Sequence, residues 1–211
     1  MLDFILANQE QFIVLLRQHI VLTVLAMGLA IVFGIPLAIL ASRVPFMEKP
    51  VIILGNLGQA IPSLVVLALC LPIMGIGFAP SLAALLFRAI LPILLNTFVG
   101  VKNVDPGLIE AARGMGMTEN QILWKVRIPI TVPVILAGIR TATVQAVSLA
   151  TLASFAGGGS LGNLIQQGIM VNDKPRLLAG AVTTAILALL ADLLVGRLEK
   201  WLTPRGLKVS A

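Results

Sequence analysis

The chain has 211 residues, of which 58% are hydrophobic and 11% charged; soluble domains are about half apolar and a quarter charged, so an ordinary water-soluble domain is excluded. The formal net charge of +6 does not indicate nucleic-acid binding, because the basic residues are scattered between apolar runs. The single cysteine, Cys70, excludes an intramolecular disulfide and a cysteine metal cluster.

Residues 1–18 carry Asp3, Glu10 and Arg17 and lack the basic start and small-residue cleavage site of a secretory signal. They are predicted to form a short interfacial helix. The lone histidine, His19, is predicted to lie at the membrane surface with its side chain reaching toward water.

Long apolar runs follow, and a hydrocarbon core about 30 Å thick requires about 20 such residues in a helix. The predicted spans cover residues 20–41, 51–71, 80–101, 130–156 and 177–196. They predict an all-α polytopic membrane protein with about five spans, organised as a single transmembrane domain over residues 1–211.

Polar side chains within these runs are candidates for a pathway or gate. Asn56, Gln59 and Ser63 give the second run positions that a lipid-facing surface disfavours. Arg88 is costly in lipid and is expected to face the bundle, a pathway or water.

Two further charges lie inside predicted spans. Arg140 is close enough to the cytoplasmic end of its span to snorkel. Asp192 is a candidate partner for Arg197 or Arg88, and the sequence selects neither.

The distribution of basic residues predicts the orientation, because Lys and Arg near span ends are retained in the cytoplasm. An outside N-terminus and a cytoplasmic C-terminus leave only Arg17, Lys174 and Arg176 outside. The basic residues then placed in the cytoplasm are Arg43, Lys49, Lys102, Arg113, Lys125, Arg127, Arg197, Lys200, Arg205 and Lys208.

The longest connection, residues 102–129, is predicted to form two short helices at the inner face of the membrane. Asp105 precedes a proline and caps the first helix. Thr118 and Gln121 form a capping box for the second helix, which Pro129 is expected to end.

The first of these helices carries small and apolar side chains, Ala111, Ala112 and Met115, that suit a partner's groove. The alternative is that the loop packs on its own bundle or lies in the headgroup layer. The pattern alone leaves both open.

The same loop carries Glu110-Ala111-Ala112, then Gly116, then Val126-Arg127-Ile128-Pro129. This spacing resembles the Glu-Ala-Ala loop of bacterial ABC importer permeases, which usually ends in Ile-x-Leu-Pro, so Val126 and Ile128 are conservative departures. The resemblance implies a type I importer permease fold. It also implies a coupling helix that seats in the ATPase, with the joint shaped by Glu110, Ala111, Ala112, Gly116 and Pro129. For Glu110 the alternative is an ordinary first-turn carboxylate favoured by the helix dipole.

The resemblance extends over nearly the whole chain. The segments 59–63, 91–94, 96–97, 104–106 and 110–117 are similar to the osmoprotectant branch of the family, whose members import glycine betaine, choline, carnitine and related quaternary amines. The alternatives are a permease for amino acids such as methionine, an ATP-independent secondary transporter, or a membrane scaffold.

No phosphate-binding loop motif occurs in the sequence, so we expect no enzyme active site, metal or cofactor in this chain, and ATP and Mg to be bound by partner subunits.

The cluster Gly157-Gly158-Gly159 is predicted to be an outer gate, a dock for the binding protein, or a flexible turn. The expected partners are ATP-binding cassette ATPases, a second permease copy or homologous permease, an extracytoplasmic substrate-binding protein and membrane lipid, without nucleic acid, in the bacterial cytoplasmic membrane.

Overall fold

The computed structural model describes residues 1–203, which are helical almost throughout and contain no strand. In chain order the helices are α1 (Leu2–Ala7), α2 (Gln9–Ser42), α3 (Glu48–Ala60), α4 (Ser63–Met74), α5 (Phe78–Lys102), α6 (Pro106–Gly114), α7 (Glu119–Ile122), α8 (Ile128–Leu149), α9 (Gly162–Met170) and α10 (Lys174–Leu202). Short 3-10 turns occupy Pro45–Met47 and Ala150–Ala156, and a π turn occupies Leu123–Arg127. The predicted all-α membrane fold is confirmed. Arg205 and Lys208, which contribute to the predicted orientation, lie outside the described residues.

Four helical stretches in this range are long and apolar enough to cross a membrane: Gln9–Ser42, Phe78–Lys102, Glu119–Ala156 and Lys174–Leu202. A fifth is obtained if the bent pair Pro45–Ala60 and Ser63–Met74 is one span. The helix α2 has 34 residues and is about 51 Å long at 1.5 Å per residue, so it projects well beyond the hydrocarbon core.

The second apolar run, predicted as a span over residues 51–71, is broken near its middle into two helices. Its two halves, α3 and α4, are bent by 94°. A proline at position 62 restricts the residue before it, and Ile61 is extended with φ −66° and ψ 126°. The helix therefore ends at Ala60 and a new helix begins at Ser63.

The N-terminal expectation also needs correction. Only α1 is a short separate helix, and residues 9–18 belong to the long helix α2. His19 is 1% exposed instead of lying at the surface. Its Nε2 atom lies 3.0 Å from the Val147 carbonyl oxygen, so the imidazole joins α2 to α8.

The core is built around α5, which packs against α2, α3, α4 and α8. Small residues permit this close packing: a Cβ atom on Gly138 of α8 would lie 2.8 Å from the Asn96 Cβ atom of α5. Membrane helices associate through such close contacts, because lipid leaves little hydrophobic gain between helices. Outside this group, α10 packs against α8 and α9.

Candidate functional site

Helix α6 begins as the sequence predicts. The Asp105 side chain accepts a hydrogen bond from the Gly107 amide at 2.8 Å. Pro106 occupies the first turn, where the missing amide hydrogen removes no helical bond. This start is determined by three consecutive residues.

The end of α6 explains the glycine in the Glu-Ala-Ala pattern. Gly116 has φ +78°, in the left-handed region that side chains disfavour. Its amide donates to the Arg113 carbonyl at 2.9 Å, and the Met117 amide donates to the Ala112 carbonyl at 3.1 Å. These two bonds form a Schellman motif, which closes the helix and reverses the chain toward α7.

Helix α7 begins with the predicted capping box. The Gln121 amide donates to the Thr118 hydroxyl at 3.4 Å, and the Thr118 amide donates to the Gln121 side chain at 2.9 Å. An ion pair of 2.8 Å between Arg113 and Glu119 connects α6 to α7. Both charges are largely exposed, so the pair positions the helices more than it stabilises them.

The two faces of α6 have different roles. Ile109 and Ala112 are 6% and 1% exposed and pack in a cluster with Val104 and Ile122. The expectation that Ala112 presents its side chain to a partner is therefore wrong, because it lies on the same face as Ile109 three residues earlier.

The opposite face of α6 is open. Met115 is 75% exposed and Leu108 is 48% exposed, and Glu110 and Ala111 are also exposed. No partner of Glu110 is found within residues 1–203. The loop thus packs on its own bundle through one face and leaves an apolar, acidic face uncovered.

Pro129 does not end the second helix. The π turn Leu123–Arg127 joins α7 to α8, and Pro129 lies at the start of α8. A proline clashes with the carbonyl four residues earlier, and the wider π turn accommodates that clash. Helix α7, the π turn and α8 therefore belong to one helical stretch, Glu119–Ala156.

The break between α3 and α4 is held by Arg88 of α5. One of its terminal nitrogens, Nη1, donates to the carbonyls of Gln59 at 2.8 Å, Gly58 at 3.2 Å and Ile61 at 3.3 Å. The last carbonyls of a helix have no partners within it, and a cation there also complements the negative end of the helix dipole. These hydrogen bonds offset the free-energy cost of placing the charged Arg88 side chain within the span.

Of the other pathway candidates, Ser63 meets Arg88 at a small cavity that Ser81 also lines. Its volume is about 10 Å³, which holds at most one water molecule, so it forms no passage within one chain. Gln59 contributes its backbone carbonyl to Arg88. Asn56 is exposed on α3, apart from this group.

The glycine cluster forms a tightly packed turn. Gly157 and Gly159 have φ +69° and +70°. A Cβ atom on Gly158 would collide with the Ser81 hydroxyl, which lines the same small cavity as Arg88. Ser81 therefore adjoins both Gly158 and the small cavity at Arg88.

An ion pair between α8 and α10 was not predicted from the sequence. Arg140 of α8 binds Asp192 of α10 through two hydrogen bonds of 2.6 and 2.7 Å, and Glu199 lies 3.6 Å from the same guanidinium. The proposed partners of Asp192, Arg197 and Arg88, are both wrong. Arg140 and Asp192 are each the sole charge in a predicted span, but so is Arg88, so the sequence indicated that each charge needs a partner without selecting the pair.

Comparison with known proteins relates the chain to one family of transport proteins. The sequence profile of the binding-protein-dependent transport system inner membrane components matches residues 13–204. The chain is 37% identical to the glycine betaine/carnitine/choline transport system permease protein of Bacillus subtilis, covering 99% of this chain and 96% of that protein. It is 40% identical to a carnitine transport permease of Listeria monocytogenes, covering 97% and 94%. It is 39% identical to an osmoprotectant import permease of Salmonella typhimurium, covering 98% and 99%.

Solved structures share the fold. The MetNI methionine ABC transporter in its inward-facing conformation superposes with a TM-score of 0.79 at 22% identity, covering 89% of this chain and 94% of that chain. An amino acid ABC transporter crystallised with histidines superposes with a TM-score of 0.73 at 21% identity, covering 93% of this chain and 94% of that chain. At this identity the likeness concerns architecture alone.

Proposed function

The chain belongs to the binding-protein-dependent transport system inner membrane components, the permease subunits of ABC transporters, and from this membership we propose that it imports a small osmoprotectant such as glycine betaine, choline or carnitine. The observation that carries the substrate class is the 37–40% identity, over nearly the full length of both chains, to permeases named for these compounds. The methionine alternative has weaker support, because the methionine transporter shares the fold at 22% identity.

The proposed energy source is ATP hydrolysis by partner ATPase subunits docked on α6. Support comes from the exposed face that contains Leu108, Glu110, Ala111 and Met115 outside the predicted spans. A short helix with small and apolar side chains suits a groove. The Schellman turn at Gly116 holds this face at a fixed angle to α7.

The proposed transmission runs from α6 through α7 and the π turn into α8. The pathway is proposed to pass beside the broken helix, with Asn56, Gln59, Ser63 and Arg88 near it and the Gly157–Gly159 turn toward the outer face. Since the cavity at Arg88 is too small for a passage, a second copy or a homologous permease is proposed to complete the route. A separate binding protein would deliver substrate from outside, in the predicted orientation with the N-terminus external.

Uptake of labelled glycine betaine, choline and carnitine, with methionine as a control, tests the substrate class. We expect cells lacking this subunit to lose uptake of at least one quaternary amine, and the intact chain to restore it. Unchanged uptake of all three, with loss of methionine uptake, would assign the importer to amino acids. Uptake that persists without the ATPase subunits would favour a secondary transporter, and no flux that depends on this subunit would favour a scaffold.

A further inference from the structure

A basic cavity lies where α2 and α5 end, beside α6 and the π turn. Its volume is about 450 Å³, large enough for a phosphate-bearing headgroup. Its charged lining residues are Arg43, Lys102, Arg113, Glu119 and Arg127. The cations come from four separate segments of the chain, so the fold, and not a local run of basic sequence, creates the site.

Two of these cations retain uncompensated charge. Lys102 pairs with Glu48 at 3.0 Å, and Arg113 pairs with Glu119 at 2.8 Å. No acidic partner of Arg43 or Arg127 is found in residues 1–203. The cavity therefore has a net positive charge and suits an anion that accepts several charge-assisted hydrogen bonds.

An exposed tryptophan beside the cavity supports a location at the membrane surface. Phe46 follows the lining residue Pro45 and is 77% exposed, and Trp124 follows the lining residue Leu123 and is 58% exposed. Exposed tryptophans concentrate at the headgroup level of bilayers. The exposed Trp124 next to the lining residue Leu123 thus supports an opening of the cavity toward the headgroup layer.

We propose that this cavity binds the phosphate of an anionic phospholipid from the cytoplasmic leaflet, with Arg43 and Arg127 as the principal ligands. Basic pockets between membrane helices on the cytoplasmic side suit such headgroups. The acyl chains would lie along α2, where Leu37 and Leu40 are 49% and 61% exposed. The proposal uses the predicted orientation and does not depend on the transported substrate.

The position of the lipid would affect the coupling helix. Arg113, at the end of α6, forms part of the cavity wall and is also tied to α7 through Glu119. A phosphate shared by Arg43, Arg127 and Arg113 would link the end of α2 and the π turn to α6. The bound lipid would therefore hold α6 in its observed position.

Native mass spectrometry of the purified transporter, with its ATPase subunits, tests the proposal by titration with dioleoylphosphatidylglycerol or dioleoylphosphatidylcholine. The test variant is Arg43→Gln/Arg127→Gln, and Arg197→Gln is the control, since Arg197 is an exposed cation of α10 that does not line the cavity. Each cation at an anionic lipid surface contributes about fivefold in affinity, so we expect about a 25-fold loss for phosphatidylglycerol in the double variant. The control should change less than about twofold.

Further arms separate the sources of the anion. Arg43→Lys/Arg127→Lys should retain most of the binding, and the single glutamine variants should give intermediate losses if the double variant assembles poorly. Inorganic phosphate in excess should leave the lipid bound. Equal phosphatidylglycerol binding in the double variant and the control would overturn the proposal, and displacement by inorganic phosphate would assign the cavity to a free anion. Loss of the ATPase subunit with unchanged lipid binding would assign it to an acidic segment of that partner.

Discussion

Replacing Gly116 by alanine is expected to weaken the turn that connects α6 to α7. The added methyl group meets no atom within 4 Å, so the cost is conformational and not steric crowding. An L-residue in the left-handed region costs about 1–2 kcal/mol. Because the turn is closed by the amides of Gly116 and Met117, this cost falls on the bonds that set the angle of α6.

Gly114 provides a matched control two residues earlier. It is the last residue of α6, has no positive φ, and also has open space around its Cβ position. Alanine there should be neutral or favourable by up to about 1 kcal/mol. The free-energy cost of Gly116→Asn should lie between those of the two alanine variants, since asparagine tolerates the left-handed conformation.

Amide hydrogen exchange of the assembled transporter measures the effect directly. In Gly116→Ala the amide of Met117 should exchange about 5–30-fold faster, and ATP-driven uptake should fall in parallel. In Gly114→Ala the exchange rate of Met117 should be unchanged or slower. Equal exchange in both alanine variants would refute the reasoning that the backbone angle at Gly116 holds the joint.

Three further predictions concern other contacts. Ala111→Glu, on the exposed face of α6, should abolish co-purification of the ATPase, whereas Asn103→Glu, exposed just before α6, should not; equal retention would remove α6 as the dock. Arg88→Met should lower the free energy of unfolding by about 3–6 kcal/mol, because Nη1 has two hydrogens and each charge-assisted bond contributes about 1.5–3 kcal/mol. Arg88→Lys should recover part of this loss, measured by thermal unfolding of the complex. Asp192→Asn should reduce the amount of assembled complex in membranes, because Arg140 loses its two short hydrogen bonds and keeps only the more distant Glu199. Exchanging Arg140 and Asp192 should restore assembly; no recovery would show that the pair has another role.

Features set by neighbouring residues could be predicted from the sequence. The cap by Asp105 and the box formed by Thr118 and Gln121 involve side chains and amides within three positions. The apolar runs likewise predict the four long helical stretches that could cross a membrane, because the length of a span follows from the thickness of the bilayer. The burial of Ala112 could also have been predicted, since Ala112 lies three positions after the apolar residue Ile109 and so on the same helix face.

Features that depend on contacts between residues distant in the sequence could not be predicted from it. Pro36, Pro92 and Pro133 lie inside continuous helices, whereas the chain bends sharply at Pro62. At Pro62, Arg88 binds the carbonyls that the break exposes. A sequence shows that a proline disfavours the helix, but only the fold shows whether another element compensates for the break.

The pairing of Arg140 with Asp192 has the same origin. The two residues are 52 positions apart, and their contact requires α8 and α10 to be neighbours with a particular rotation. Composition indicates that each charge needs a partner. The choice among several basic residues follows from the packing of helices, which no local pattern encodes.

The central claim is that this subunit imports an osmoprotectant using ATPases that act through α6. Its most direct test is uptake of labelled glycine betaine, choline and carnitine into proteoliposomes that contain the whole transporter and enclosed ATP, with the binding protein outside. Intact protein should accumulate at least one of these compounds only when ATP is present, and the Ala111→Glu variant should accumulate none. Accumulation that is equal with and without ATP, or that survives the loss of the ATPase subunits, would contradict the account.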